Sequence, residues 1–596
     1  MLRLTSCLPA VLLALLLAGT PAVAGTSAKG QVSDYDLALL SDVSSGPKPT
    51  MLMRTDKVVY TPNETITLKL DMDPNGHLAG KTIFLYRQNM ATGEIRYVNP
   101  NGMQAAGQVT DITGATDYQL YGLPSVQGLV LLGTGGTVGA SPTASASEVG
   151  NYQYILELRD ATGQRVFRQA RAAFAIVEDV VQLIQDITSN TTLSNRHAYA
   201  VTDRTLFVTN NAVLTIEPGT YVLGSGNAGV VIDVGAKIIA DGTPSRPIVL
   251  TSQQPVGDRA PGDWGGLALL GDAPINQGGA ISEGFSKPYG GSDPHDSSGI
   301  LRYVRVEFAG AQLTATNEWN GISLYGVGDG TIIEHVQCHF NGDDGIEFFG
   351  GTANAKYVLA TRNGDDSIDW TFGWQGKLQY AVVQQRGDDA DCGIEADNNE
   401  NGFEFTPRSN PKLYNVTFIG DPGAAYGAKS TNGLLLRRGT GCELQNLIVT
   451  GFKNTGININ DGPTFTQAQN GSLIVDHSIF SGNGAGKPSE DVMDESLVLT
   501  DNNSEVVPFT TSAFIKGATS LAFSMKNNRF MDPKLRDPYN LLSPDFRPML
   551  ESPALNVNFV KIPPDDGFFD TWVNFVGGTS ATNDWTQEPW TTSDPD

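Results

Sequence analysis

The residues of this chain best suited to chemistry are carboxylates that return at fixed spacing in its middle third. Asn341-Gly342-Asp343-Asp344-Gly345-Ile346-Glu347 is followed by Asn363-Gly364-Asp365-Asp366-Ser367-Ile368-Asp369 and then by Arg386-Gly387-Asp388-Asp389, at intervals of 22 and 23 residues counted on the glycines. Acids gathered this closely must share protons, hold a cation or repel one another. Ca²⁺ takes about six to eight oxygens from carboxylates, amides, carbonyls and water, so an Asp/Glu/Asn ladder is a suitable host. The same Asp343, Asp365 and Asp388 would also serve as plain corner residues, because Asp tolerates left-handed turns and bonds its own backbone.

A period of this size signals stacked units, and each unit here is strand-rich, so the chain is expected to wind as a parallel β-solenoid. Aligning the coils places Ile322, Ile346, Ile368, Ile394, Leu434 and Ile457 at one inward position. The residue after each points outward, since side chains alternate along a strand. One outward column then reads Ser323, Glu347, Asp369, Glu395, Leu435 and Asn458, and the next reads Tyr325, Phe349, Thr371, Asp397, Arg437 and Asn460. Adjacent strands lie about 4.8 Å apart, so Glu347, Asp369, Glu395 and Asp397 are the expected metal ligands. Tyr325 and Phe349 project outward and Trp374 follows a corner, which makes these rings candidates for stacking on sugars. The third motif carries about three extra residues before Gly393, and its register is open.

The ends and the composition bound the rest. Residues 1–24 hold one Arg, an apolar run from Leu8 to Leu17 and Ala22-Val23-Ala24 before Gly25, the pattern of a secretory signal peptide. No later apolar stretch is long enough to span a bilayer, so a secreted protein is expected, extracellular, periplasmic or bound to a cell surface. The formal net charge of −25 repels phosphate backbones and excludes nucleic acid as a partner. Cys338, Cys392 and Cys442 are too few for a disulfide framework; a Cys392–Cys442 bridge and buried thiols are both open. His335, His339 and His477 lack partners at zinc spacing.

Residues 25–47 are small and polar and read as a flexible leader. From 48 to 177 the chain alternates as strands: Lys57-Val-Val-Tyr60 turns into Thr65-Ile-Thr-Leu-Lys-Leu-Asp71, and Tyr154–Leu158 and Val166–Gln169 flank the turn Asp160–Gly163 as a hairpin. From 178 to 560 short apolar runs such as Gly229-Val-Val-Ile232 and Pro247-Ile-Val-Leu250 alternate with Gly, Asn and Pro corners, as the faces of a solenoid do. Gly271–Gly299 lacks apolar alternation and is expected to form an arm over one face. The tail 561–596, with Phe568-Phe-Asp-Thr-Trp572, Trp585 and Trp590, is expected to cap the terminal coil.

The segment Arg54–Thr65 resembles the immunoglobulin-like or macroglobulin-like β-sandwiches that precede larger domains of exported proteins. From about 200 to 560 the chain resembles the right-handed parallel β-helix superfamily, the fold of pectate lyases and polygalacturonases. Trp264-Gly-Gly-Leu-Ala-Leu-Leu-Gly271, Gly345-Ile-Glu-Phe-Phe-Gly-Gly351 and Gly393-Ile-Glu-Ala-Asp-Asn-Asn399 are similar to a group of exported bacterial β-helix proteins of mostly unassigned function. The expected fold class is therefore all-β, a β-sandwich followed by a right-handed parallel β-helix. The resemblance implies two enzymatic roles for the acidic face. As in pectate lyases, Ca²⁺ held by the acids would work beside a basic residue that removes a proton, here Arg437. As in polygalacturonases, Asp343, Asp344, Asp365 and Asp366 would form a hydrolytic set. Neither an Asn-Thr-Asp triplet nor an Arg-Ile-Lys clamp is present. The expectation is thus Ca²⁺-dependent binding of an extracellular polysaccharide or cell-surface component, with a polysaccharide lyase or glycoside hydrolase as the alternative.

Overall fold

The computed structural model describes residues 51–596 except 63, 65, 73–80, 100–101, 106–111, 114–128, 133–147, 161–165, 315–316, 424–428, 485–491, 493–495, 501–505 and 522. The segments expected as signal peptide (1–24) and leader (25–47), and most of the expected hairpin turn at 160–163, lie outside the described residues.

Two sheets, antiparallel but for one added strand, open the described chain. Met51–Thr55, Thr67–Met72 and Leu129–Leu132 form a three-stranded sheet. Lys81–Asn89, Gly150–Asp160 and Val166–Ile176 form the centre of a seven-stranded one, to which Val59–Tyr60 adds in parallel. Met51–Thr55 packs on Val166–Ile176. Phe174 stacks on Tyr152 and Tyr154, with ring centroids 5.7 and 5.3 Å apart, which fixes the small core of this part.

From Val180 onward the chain coils. A nine-stranded sheet runs from Thr205–Val208 to Thr455–Ile459 with every neighbouring pair parallel. A sixteen-stranded sheet forms the other walls. This is a parallel β-helix, and the chain is all-β as expected. The inward ladder has the expected register: Ile322, Ile346, Ile368, Ile394, Leu434 and Ile457 pair in succession and all are buried. Fully burying each such side chain contributes about 1.5–3 kcal/mol relative to leaving it exposed.

The eight- and nine-residue strands of the larger sheet bend at one residue per coil. Tyr303, His335, Tyr357, Tyr380, Asn415 and Asn446 occupy this corner with φ between 50° and 59°. Asn adopts the left-handed region readily; Tyr and His do not, and here their rings compensate by stacking. Tyr303, His335, Tyr357 and Tyr380 follow one another at centroid spacings of 4.4, 4.3 and 5.0 Å.

The tail departs from the expected end cap. It runs back along the outside of the larger sheet, retracing the coils in reverse. Asn446 Nδ2 donates to Lys561 O (2.7 Å), Asn415 Nδ2 to Phe575 O (2.8 Å), and Gln337 Nε2 to Thr592 O (2.7 Å). Phe546, Phe559, Val576, Trp585 and Trp590 pack there on Leu359, Val382, Ile419 and Ile448. Cys338, Cys392 and Cys442 are buried thiols, and no Cys392–Cys442 bridge exists.

Candidate cation site in an acidic cleft

The outward column has the expected register, with Glu347 beside Ser323, Asp369 beside Glu347, Glu395 beside Asp369 and Leu435 beside Glu395. The corners next to it stack as well. Asp366 N donates to Asp344 Oδ1 (2.9 Å), Cys392 N donates to Asp366 Oδ1 (2.5 Å), and Asp391 N donates to Asp365 O (2.9 Å). Asp391 and Cys392 therefore continue the columns of Asp365 and Asp366. Asp388 and Asp389 do not: the extra residues loop them out toward Arg386, whose Nη2 lies 2.7 Å from Asp389 Oδ2. Counting back two and three positions from Ile394, as Asp366 and Asp365 stand before Ile368, is the signal that finds Cys392 and Asp391.

Ligand-capable atoms of Asp344, Asp366 and Asp369 lie within 4.8 Å of one another, and so do those of Asp343, Asp344 and Asp365. Asp366, Asp391 and the Cys392 thiol form a third such group. The set grades from exposed Asp365 to buried Asp344 and Asp366. Asp369 Oδ1 is sealed from solvent and accepts no hydrogen bond. Among the described residues none of Asp344, Asp366 and Asp369 makes an ion pair with a basic side chain. Burial first, and then the neighbouring carboxylates, hold all three well above the usual carboxylate range. Burial, Glu318 and Asp365 push Asp343 up to about 8. A divalent cation would relieve this repulsion, and the oxygen-only donor set of Asp344, Asp366 and Asp369 fits a hard one such as Ca²⁺.

Glu395 and Asp397, expected as ligands, do not belong to this set. Arg437 Nη2 pairs with Glu395, its Nε lies 2.9 Å from Asp397 Oδ1, and Arg438 Nη1 lies 2.6 Å from Asp397 Oδ2. Guanidinium groups pair with both carboxylates, although burial outweighs Arg438 at Asp397 and pushes it up to about 7. Glu347 sits at the margin: it is buried, accepts from Asn320 Nδ2 (2.6 Å), and is held well above its usual range by burial and Asp344. Burial and Arg438 pull Arg437 below the ordinary guanidinium range.

The three proposed stacking rings are corrected by the structure. Tyr325 and Phe349 do project from the sheet, but the arm 271–299 covers them. They stack on each other at 4.2 Å, and Tyr289 of the arm lies 4.9 Å from Tyr325. Together with Ala280 and Trp319 they form a closed apolar cluster. Trp374 turns inward, stacks on Phe348 at 3.9 Å and donates Nε1 to Ala353 O (3.0 Å). None of the three presents a free face to a ligand. The arm is pinned at its root, where Asn276 Nδ2 donates to Asn398 Oδ1 and Asn399 Nδ2 to Asn276 Oδ1, both at 2.9 Å. This is the structural use of Asn398-Asn399. The arm also brings Glu283 near Asp343 and Glu347, and burial, Glu318 and Glu400 push it up to about 7.

A family model described as a pectate-lyase like beta helix domain matches residues 185–520. That is more than half of the chain, its coils are those just described, and the protein belongs to this family. No match was found among curated proteins or among solved structures.

Proposed function

We propose that the protein is exported by its N-terminal leader, carries a β-sandwich at 48–177 ahead of the β-helix, and binds an extracellular polysaccharide or cell-surface component through Ca²⁺ held in the acidic cleft. Its role is binding, adhesion or scaffolding. The observation that carries this reading is the gathering of Asp344, Asp366 and Asp369 within 4.8 Å, where among the described residues no basic side chain forms an ion pair with them and the charge of Arg437 offsets their repulsion only in part. A chain of net charge −25 repels an acidic glycan unless a cation bridges the two. Membership in the pectate-lyase-like family supports a carbohydrate as the ligand. No helix among the described residues is long and apolar enough to cross a membrane. The test is a glycan array run with Ca²⁺ and with chelator: binding confined to the Ca²⁺ arm supports the proposal, and equal binding in both arms removes the cation from it.

Arg437 and Arg438 give a second reading, because they reach back from the neighbouring coil over Glu395 and Asp397. In a Ca²⁺-assisted lyase, Arg437 would stand where the proton beside a substrate carboxylate is taken. Unsaturated, ultraviolet-absorbing product from any array hit would favour it. The hydrolytic set fares less well. Asp343, Asp344 and Asp365 lie within 4.8 Å of one another, and a glycosidase needs its two carboxyls about 5–5.5 or 6.5–9.5 Å apart to admit the scissile bond. Cation binding suits that spacing better.

A further inference from the structure

The chain has seven tryptophans. Six of them, Trp264, Trp319, Trp370, Trp374, Trp585 and Trp590, are at most 3% exposed, and Trp572 is 97% exposed. A tryptophan in solvent leaves about 150–250 Å² of ring surface unburied, and on a loose loop that would mean little. This loop is not loose. Gln379 exchanges two hydrogen bonds with the Asp570 backbone, accepting from Asp570 N (2.7 Å) and donating to Asp570 O (3.1 Å). Lys356 Nζ holds Asp570 Oδ1 at 2.9 Å and Lys377 Nζ holds Asp566 Oδ2 at 2.8 Å. Phe569 and Val573, on either side of Trp572, are both buried, and Phe569 packs 4.9 Å from the Tyr414 ring. The neighbouring apolar side chains Phe569 and Val573 are buried, and the indole is turned to water.

We propose that Trp572 is the stacking platform of a second carbohydrate contact, on the outside of the larger sheet and separate from the acidic cleft. The surroundings select the ligand. Lys356, Lys377, Asp566 and Asp570 form a charged fringe on the segment that carries Trp572 and on the strands that hold it, and Lys412 and Glu443 extend the line of Lys377 onto the next two coils. A pyranose offers the complement: C–H bonds on one face for the indole, and hydroxyls at its edge for the fringe. A lipid surface would have to desolvate Asp566 and Asp570, and a chain of net charge −25 is repelled by anionic membranes. The inference rests on the carbohydrate reading given above, but on a different face and without a cation.

The composition makes the test direct, because the only tryptophan open to an aqueous quencher among the seven is Trp572. Acrylamide quenching of the full-length protein is followed with oligogalacturonates, xylo-oligosaccharides and cello-oligosaccharides, each with Ca²⁺ and with chelator. The expected result is that at least one sugar protects the quenchable fraction and shifts its emission to the blue. Trp572→Ala should weaken that sugar about tenfold, as truncation of a central contact does, Trp572→Phe should recover part of the loss, and melting temperature should stay unchanged in both. Sugar binding that Trp572→Ala leaves intact overturns this site and spares the carbohydrate reading. If no sugar binds the parent protein in either condition, both fall. Protection by phosphatidylcholine or phosphatidylglycerol vesicles instead of sugars assigns the ring to a lipid surface and overturns the proposal.

Discussion

The two outward faces of the coil are built from the same geometry and handle charge in opposite ways. On the larger sheet almost every charge described has a partner supplied by the tail or by the same face. Arg305 pairs with Glu307 at 2.7 Å, Arg259 with Asp596 at 2.6 Å, Lys356 with Asp570 and Lys377 with Asp566. His339 is buried between Thr361 and the Asp594 carbonyl, and burial lowers it to about 3, so it adds no charge. On the smaller sheet Glu395 and Asp397 are paired as well, with Arg437 and Arg438, but among the described residues Asp343, Asp344, Asp365, Asp366 and Asp369 stand together without guanidinium or ammonium ion pairs. Paired buried charges are explained by assembly: they dock the tail. Unpaired ones cost stability and call for a ligand. The contrast is what singles out the acidic corners as the proposed cation site.

The largest effect that would probe this scheme lies beneath both faces. Ile368→Asp puts an unpaired charge at the centre of the inward ladder and should destabilise by about 4–5 kcal/mol or more, read by denaturant unfolding. On the structural face, Arg259→Ala removes the buried cation shared by Glu307, Asp594 and Asp596 and should cost about 3 kcal/mol, with protease cleavage first in the released tail. If that variant is as stable as the parent, the tail does not need its charges.

The acidic corners should respond with the opposite sign. Carboxyls whose pKa rises on folding hold protons that the unfolded chain has released. Between about pH 4, where a free Asp titrates, and about pH 8, where Asp343 does, the folded state binds more protons and stability falls as pH rises. The melting temperature of the chelated protein should therefore drop from acid to mildly alkaline buffer, and Asp344→Asn with Asp366→Asn should flatten the drop. A smaller effect belongs to the boundary of the site. Arg437→Ala with Arg438→Ala frees Glu395 and Asp397 and should add a second, weaker Ca²⁺ site seen by calorimetry. Unchanged stoichiometry would mean that pairing is not what keeps these two acids out.

The strand register was legible in the sequence because it is local and repeated: an Ile at each coil and a carboxylate after it are enough to align Ile346, Ile368 and Ile394. What covers each face was not legible. Tyr325 and Phe349 alternate outward as read, yet an arm from about forty residues earlier closes over them, and alternation carries no record of that contact. Trp374 follows its corner inward to fill the coil. The Asp388-Asp389 pair matched the motif by wording while three extra residues moved it out of register, and Asp391 took the place. Arg437 was placed beside Asp397 correctly, but its second partner, Glu395, becomes visible only when the side chain is seen to cross two columns.

Calorimetric titration of Ca²⁺ into chelator-stripped protein decides whether Asp344, Asp366 and Asp369 hold a divalent cation. The parent should bind, with a gain of about 2.7 kcal/mol at a hundredfold excess over Kd that appears as a rise in melting temperature. Asp344→Asn with Asp366→Asn should lose both the heat and the rise, while Glu395→Gln with Asp397→Asn should keep them. Equal binding by all three proteins would contradict the assignment of the site.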